Sequence, residues 1–133
     1  MISSYSDLIQ ASYSQQEPQR LLFVFCRAEL PDEASPEEKA AFERGEGGAL
    51  TPVVCVDKTP EEAPDFAALH EESRATGQSW DVVFVAAMSG RGGTPPSTDE
   101  AQQPLTMMVE SIRLGHINNY LPLDTQGNAV SLG

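Results

Sequence analysis

The residues best placed for chemistry follow three apolar segments that the sequence predicts to be buried strands. The candidate site collects the polar and glycine residues just past those segments: Arg27, Asp57, Lys58, Ser89, Gly90, Arg91, Gly92 and Gly93. If the strands are parallel neighbours, their carboxyl ends meet at one edge of the sheet, where open sheets bind ligands. Arg27, Lys58 and Arg91 would then supply positive charge for a small anion, and the amides of the glycine-rich loop would add hydrogen-bond donors. Asp57 is a possible base in the same site.

An ordinary structural role explains the same residues, and we favour it over an anion site. Loops after strands are polar, glycines allow a long exposed connection to turn, and cations near acidic helices balance local charge. A docking loop for a partner protein is a third interpretation. A nucleotide site is disfavoured, because Pro95 stands three residues past Gly92, where a dinucleotide fingerprint needs its last glycine. The chain also has no Gly-Lys-Ser/Thr phosphate loop.

The histidines and cysteines are too isolated to predict a metal centre, and we expect no cofactor. His70 and His116 have no cysteine or carboxylate partner at ligand spacing. Cys26 is the one candidate nucleophile, since the adjacent Arg27 could favour its thiolate, although neighbouring strand residues point to opposite faces. Cys55 lies between two valines and is expected in the core. Both thiols are expected to be reduced.

Charge and the length of the apolar runs narrow the classes of partner. The 133 residues include 8 Lys and Arg against 20 Asp and Glu, which gives a net charge of −12. Such a surface repels phosphate backbones and anionic headgroups, so we expect neither nucleic acid nor a membrane as partner. The start of the chain has no secretory signal pattern, and runs 21–26 and 82–88 are shorter than the roughly 20 residues that span a bilayer. We therefore expect a soluble, cytoplasmic protein.

The acidic residues are concentrated in two parts of the chain. Of the 20 acids, 13 lie in windows 29–46 and 57–74. Several are expected in the first turns of helices, where the helix dipole favours negative charge. The remainder predict a solvated face that could receive a basic protein partner.

Helices and strands are expected to alternate along the chain. Segments 21–26, 52–56 and 81–88 are nearly uninterrupted apolar runs, a pattern typical of strands covered on both faces. Helices are predicted at 5–15, from Ser35-Pro36 to the glycines at 45, 47 and 48, at 64–75, and over the i, i+3, i+4, i+7 spacing of 105–112 with Pro104 near its start. The tail predicts two short strands around a Gly-Asn turn, and Pro122 places them at a sheet edge.

This order of elements is typical of an α/β fold. It predicts a single layered domain over residues 1–133, with a central, mostly parallel sheet whose strands are joined by right-handed crossovers. Helices would flank the sheet, and a C-terminal hairpin would form its edge.

Several stretches of the chain, taken together, carry a family resemblance. They are Leu21-Leu22-Phe23-Val24-Phe25, Ala28-Glu29-Leu30-Pro31, Gly47-Gly48-Ala49-Leu50, Cys55-Val56-Asp57-Lys58-Thr59-Pro60, Phe84-Val85-Ala86-Ala87 with Ser89-Gly90, and Leu121-Pro122. Over nearly its whole length the chain resembles a small proteobacterial family that has no settled function. Members of that family often carry the label of a ribonucleotide reductase alpha subunit. A true catalytic subunit is several times longer and uses a set of cysteines for radical chemistry, which two separated cysteines cannot provide, so the resemblance implies no catalytic residue here.

Three kinds of function remain as hypotheses. We favour a non-enzymatic binding or regulatory module that contacts another protein through its loop edge or its acidic face. The alternative is a small-anion-binding protein or enzyme, which requires Arg27, Lys58 and Arg91 to converge on one concave pocket. A third possibility is that the edge hairpin pairs with a second copy of the chain.

Overall fold

The predicted alternation of helices and strands is confirmed by a computed structural model, which describes residues 2–30, 33–44 and 49–131. Within these ranges the elements are α1 (Tyr5–Tyr13), β1 (Gln19–Glu29), α2 (Pro36–Glu43), β2 (Ala49–Lys58), α3 (Phe66–Arg74), β3 (Val82–Ser89), α4 (Thr98–Arg113) and β4 (Leu121–Leu123). The glycines predicted to end α2, at positions 45, 47 and 48, lie outside the described residues.

The sheet is antiparallel throughout, so the prediction of a mostly parallel sheet is wrong. Its strand order is β2-β1-β3-β4, and each neighbouring pair runs in opposite directions. The connection from β1 to β2 is not a crossover, because Glu29 at the end of β1 pairs with Ala49 at the start of β2. The intervening α2 has no buried residue and therefore does not cover the sheet.

Helices cover both faces of the sheet, and this explains the apolar runs that suggested parallel strands. On one face α1 and α3 pack against odd-numbered residues of β1, in a cluster that includes Leu8, Leu69, Phe23 and Phe25. On the other face α4 packs against even-numbered residues of β1 and β3, in a cluster that includes Met108, Val24 and Phe84. Because both faces are buried, both sets of alternating side chains are apolar whatever the strand direction.

Helix α4 begins six residues before Pro104, which was expected near its start. Ser97 is the N-cap, and it forms a capping box in which its side chain accepts from the Glu100 amide while the Glu100 carboxylate accepts from the Ser97 amide. Pro104 therefore lies inside the helix, where it cannot donate the usual backbone bond. Of the four residues that follow Ser97, only Ala101 is apolar. The spacing of apolar residues therefore predicted only the second half of the helix.

Strand β4 lies at one edge of the sheet, as Pro122 indicated. Its outer side is not open, because the tail folds back along it. Leu123 forms a bridge with Ala129, and the Val130 amide donates to the Pro122 carbonyl. Gly127 makes the turn with a φ of +83°, and its backbone carbonyl accepts from the Tyr5 amide, so the tail is also joined to α1.

Candidate functional site

The antiparallel sheet separates the cations that the sequence placed together. Lys58 and Ser89 lie near the start of β1, where their register partners are Leu21 and Gln19. Arg27 pairs with Thr51 near the other end of β1, about 26 Å from Gln19 at the usual rise per strand residue. The three cations therefore do not converge on one pocket. The convergence was expected only because parallel strands would have ended at the same edge.

Arg27 is held by groups at its own end of the sheet. Its guanidinium donates to Gln78 Oε1 at 2.9 Å and to the Ser79 carbonyl at 3.2 Å. Its nitrogen Nη1 also lies 3.7 Å from the Glu29 carboxylate. These contacts join β1 to the segment that leads into β3, which is a structural role.

Asp57 is bound by a cation that sequence reasoning did not identify. Arg20, near the start of β1, places Nη1 2.7 Å from Asp57 Oδ2, and the two side chains are only 12% and 11% exposed. Thr98 donates to the same oxygen at 2.9 Å, and Arg20 Nε donates to the Pro96 carbonyl. Asp57 thus connects the sheet to the first turn of α4, and its bonds to Arg20 and Thr98 through Oδ2 give the carboxylate a structural role.

Arg20 was overlooked because its partner lies 37 positions along the chain. No local pattern marks such a pair. The available signal was Arg20 itself, a charged residue immediately before a fully apolar run. Such a residue needs a partner when its strand is buried on both faces.

Lys58 and Arg91 differ in how they are held. Lys58 Nζ lies 2.7 Å from Glu72 Oε1 on α3, so it is paired within the chain. Arg91 is exposed, and no carboxylate among the described residues lies within ion-pair distance of it. Of the predicted anion-binding cations, Arg91 alone has no carboxylate within ion-pair distance in the described ranges, although its charge acts on Glu100, whose pKa is lowered first by hydrogen bonds from Ser97 and then by Arg91.

Two glycine amides of the glycine-rich loop donate within the chain. The Gly93 amide donates to Glu17 Oε1 at 2.8 Å, and the Gly90 amide donates to the Pro18 carbonyl at 2.8 Å. Ser89 Oγ accepts from Gln19 Nε2 at 2.9 Å. The Gly93 amide was among the donors expected to bind an anion, and it already donates to a carboxylate of the chain.

Gly90 is required by the close approach of two backbone segments. A Cβ atom there would lie 1.9 Å from the Thr94 carbonyl oxygen. The loop returns on itself at this point through paired hydrogen bonds between Arg91 and Thr94. The glycine thus reflects a tight turn, in agreement with the structural interpretation of the loop.

The two cysteines have opposite environments. Cys26 is fully buried, and burial raises the pKa of its thiol to about 12, so it is protonated at neutral pH. Cys55 is exposed, and the prediction that it lies in the core is wrong. Its run of valines resembles a buried strand, but β2 lies at the edge of the sheet and none of its residues is fully buried.

The described residues hold no group of three His, Cys, Asp or Glu side chains that could bind a metal ion. His70 is half-buried and packs against the rings of Phe66 and Trp80, with centroid distances of 6.1 Å and 5.5 Å. In the part of the chain that the structure covers, no helix has the length and apolar character that crossing a bilayer requires.

Strand β2 has an open edge, which sequence reasoning missed. It is ten residues long, β1 pairs with one side of it, and no strand of the described ranges pairs with the other. The signal was Pro52, since proline within sheets is confined to edges and bulges. The register shifts beside this proline, opposite Phe25 and Cys26.

A small apolar crevice lies beside this edge, between β2 and α3. It has a volume of about 50 Å³, and its walls are the side chains Phe25, Val54, Val56, Leu69, Glu72, Ser73 and Thr76. Val54 and Val56 are only half-buried, because no further strand covers them. The crevice is therefore the unfilled end of the core layer beneath α3.

Acidic residues are concentrated in the sequence before β2 and from its last residues onward. Windows 29–46 and 57–74 hold 13 of the 20 acids. Glu62 accepts from the Thr59 amide, which holds the pKa of this carboxyl below its usual value; Arg20 and Lys58 contribute further to the lowering. The carboxylate therefore stays charged well into acidic conditions.

Comparisons with known proteins add no assignment to this geometry. Family models, curated proteins and solved structures all fail to match the chain.

Proposed function

We propose that the protein is a non-enzymatic binding module that takes an extended, basic segment of a partner protein as an additional strand on the open edge of β2. The observation that carries the proposal is the ten-residue edge strand with an unfilled crevice beside it. In this mode of recognition, main-chain hydrogen bonds supply affinity and pockets for alternate side chains supply specificity.

The backbone of β2 offers the first requirement. An edge strand presents a row of N–H and C=O groups that pair with nothing on its outer side. Proline at position 52 lacks an N–H and the register shifts there, so the regular part of the edge is 54–58. Each backbone bond that an added strand forms contributes a net stabilisation of about 0.5–1.5 kcal/mol.

The crevice offers the second requirement. Side chains of an added strand alternate between the two faces of the sheet. Those on the α3 face would lie next to Val54 and Val56 and above Leu69, which line the crevice. An aliphatic side chain there would extend the core layer and remove apolar surface from water, at about 25 cal/mol per Å² buried.

Charge supports a basic partner. The chain has a net charge of −12, and its acidic residues are concentrated in the sequence before β2 and from its last residues onward. A segment that alternates aliphatic residues with Lys or Arg would complement the crevice and the surrounding carboxylates together. Complementary charge also raises the association rate and makes it dependent on salt.

A selection from random peptides tests the proposal, because it requires only the chemistry of the partner segment and not the partner's identity. We expect the full-length protein to select extended peptides in which aliphatic and basic residues alternate. Val54→Lys, which places a charged side chain in the crevice, should weaken binding of a selected peptide by about tenfold or more, which is roughly 1.4 kcal/mol. Met107→Lys is the matched control, because it adds the same charge at an exposed position of α4.

Two results would overturn the proposal. One is equal binding of the selected peptide to the Val54→Lys variant and to the wild-type protein. The other is a dimer in light scattering whose dissociation Val54→Lys promotes, because β2 would then pair with a second copy of this chain.

A further inference from the structure

A groove at the carboxyl end of α1 is lined by acidic, aromatic and neutral residues and by no basic one. It has a volume of about 320 Å³, at the lower end of the range for ligand pockets. Its walls include Tyr13, Glu17, Gln19 and Glu61. The groove thus has two carboxylates and an aromatic ring, and no lysine or arginine lines it.

The helix end adds to the negative charge of the groove. The carboxyl end of a helix carries a partial negative charge that basic residues usually offset. The last turn of α1 has no basic residue. The groove therefore combines the helix end with Glu61 and with Glu17, whose Oε1 accepts from the Gly93 amide, and no lysine or arginine of the groove offsets the two charges.

Gln19 provides an independent sign that the groove receives a donor. It is 6% exposed, and its Nε2 donates both to the Glu17 carbonyl and to Ser89 Oγ. No donor among the described residues reaches its Oε1. Every fully enclosed side-chain polar atom in those residues is hydrogen-bonded, so this oxygen is accessible, and Gln19 is one of the residues that line the groove.

Tyr13 supplies a surface on which a planar cation can lie. Its side chain is 57% exposed, although large aromatic rings are usually covered. Partial desolvation of the hydroxyl and then the charge of the Glu61 carboxylate raise the pKa of Tyr13, in agreement with a position next to that carboxylate. Arginine stacks on aromatic faces and donates five N–H groups in one plane, whereas lysine is a point charge.

We propose that this groove binds the guanidinium group of an arginine side chain, with the plane of the group against Tyr13 and its donors directed to Glu17, Gln19 Oε1 and Glu61. The site is separate from strand addition on β2, because it requires only the side chain and no extended backbone. Either proposal can fail while the other holds.

The probe for this site is N-acetyl-arginine amide, titrated into the isotopically labelled full chain and followed by amide NMR shifts. We expect saturable shifts confined to the amides of residues 12–17, 19 and 61 and to the Gly93 amide, which is bonded to Glu17. N-acetyl-citrulline amide, a neutral analogue of the same shape, should produce none. Because the attraction is between charges, added salt should weaken the binding of the arginine probe.

Matched variants distinguish this groove from general attraction to an acidic protein. Glu61→Gln and Tyr13→Leu should each lower the affinity for the arginine probe by about fivefold. Glu110→Gln, which removes the same charge from an exposed position on α4, should leave binding unchanged. Shifts spread over the whole acidic surface, equal binding of the citrulline probe, or an equal effect of Glu110→Gln would each overturn the proposal.

Discussion

Asp57 offers the sharpest test of whether the predicted site residues are structural. Removal of its carboxylate in Asp57→Ala deletes the 2.7 Å contact with Arg20 and the 2.9 Å bond from Thr98. Breaking a fully buried pair costs about 3–5 kcal/mol, because the remaining charge is left without a partner. Here Arg20 keeps its bond to the Pro96 carbonyl and lies 3.8 Å from Glu62, so part of that cost is offset. We expect Asp57→Ala to lower the free energy of unfolding by about 2–3 kcal/mol.

The assay is urea unfolding at neutral pH, followed by circular dichroism. The neighbouring Lys58→Ala is the matched control, because its partner Glu72 is 52% exposed and such pairs contribute at most about 1 kcal/mol. In a double-mutant cycle with Arg20→Met, the double variant should lose less stability than the sum of the two single losses. The reasoning would be refuted if Asp57→Ala cost no more than Lys58→Ala, or if the double variant were additive. A base kept free for chemistry would give that result.

Three further outcomes follow from burial, backbone geometry and charge. A thiol reagent at neutral pH should modify Cys55 and leave Cys26 unmodified until the chain is denatured; fast reaction of both thiols in the native protein would contradict the buried environment. Gly127→Ala should lower the melting temperature more than Gly77→Ala. Both glycines have positive φ, but only at position 127 would the new Cβ meet a side chain, at 2.8 Å, and equal losses would refute this. Glu62 has a lowered pKa in the folded state, so its stabilisation is present above the unfolded value of about 4.5 and is lost as pH falls through the lowered value. Glu62→Gln should therefore flatten the decline in melting temperature below about pH 4.5, and an unchanged decline would contradict this.

The order of elements could be predicted from local signals, whereas strand direction could not. Ser35 and the residues after it form the expected capping box, and Pro122 indicated an edge. These signals act within a few residues of the chain. A strand covered on both faces has the same apolar run whether its neighbours are parallel or antiparallel, so the runs around Val24 and Phe84 carried no information on direction.

The candidate site depended on that missing information. Arg27 was grouped with Lys58 and Arg91 only because parallel strands would end together. The antiparallel register places Arg27 at the other end of the strands from Lys58. The ion pair of Arg20 with Asp57 links two strands through tertiary structure, so no spacing in the sequence revealed it. The open side of β2 is likewise a property of strand order, for which a proline was the one local indication.

The most direct test of strand addition on β2 uses a selected peptide methylated on alternate backbone nitrogens. Successive residues of an added strand direct their N–H groups alternately toward β2 and toward solvent. We expect one set of methylated positions to abolish binding and the alternate set to leave the dissociation constant unchanged. Equal tolerance of both sets, or equal loss with both, would contradict the account, because the peptide would then bind through its side chains or in another conformation.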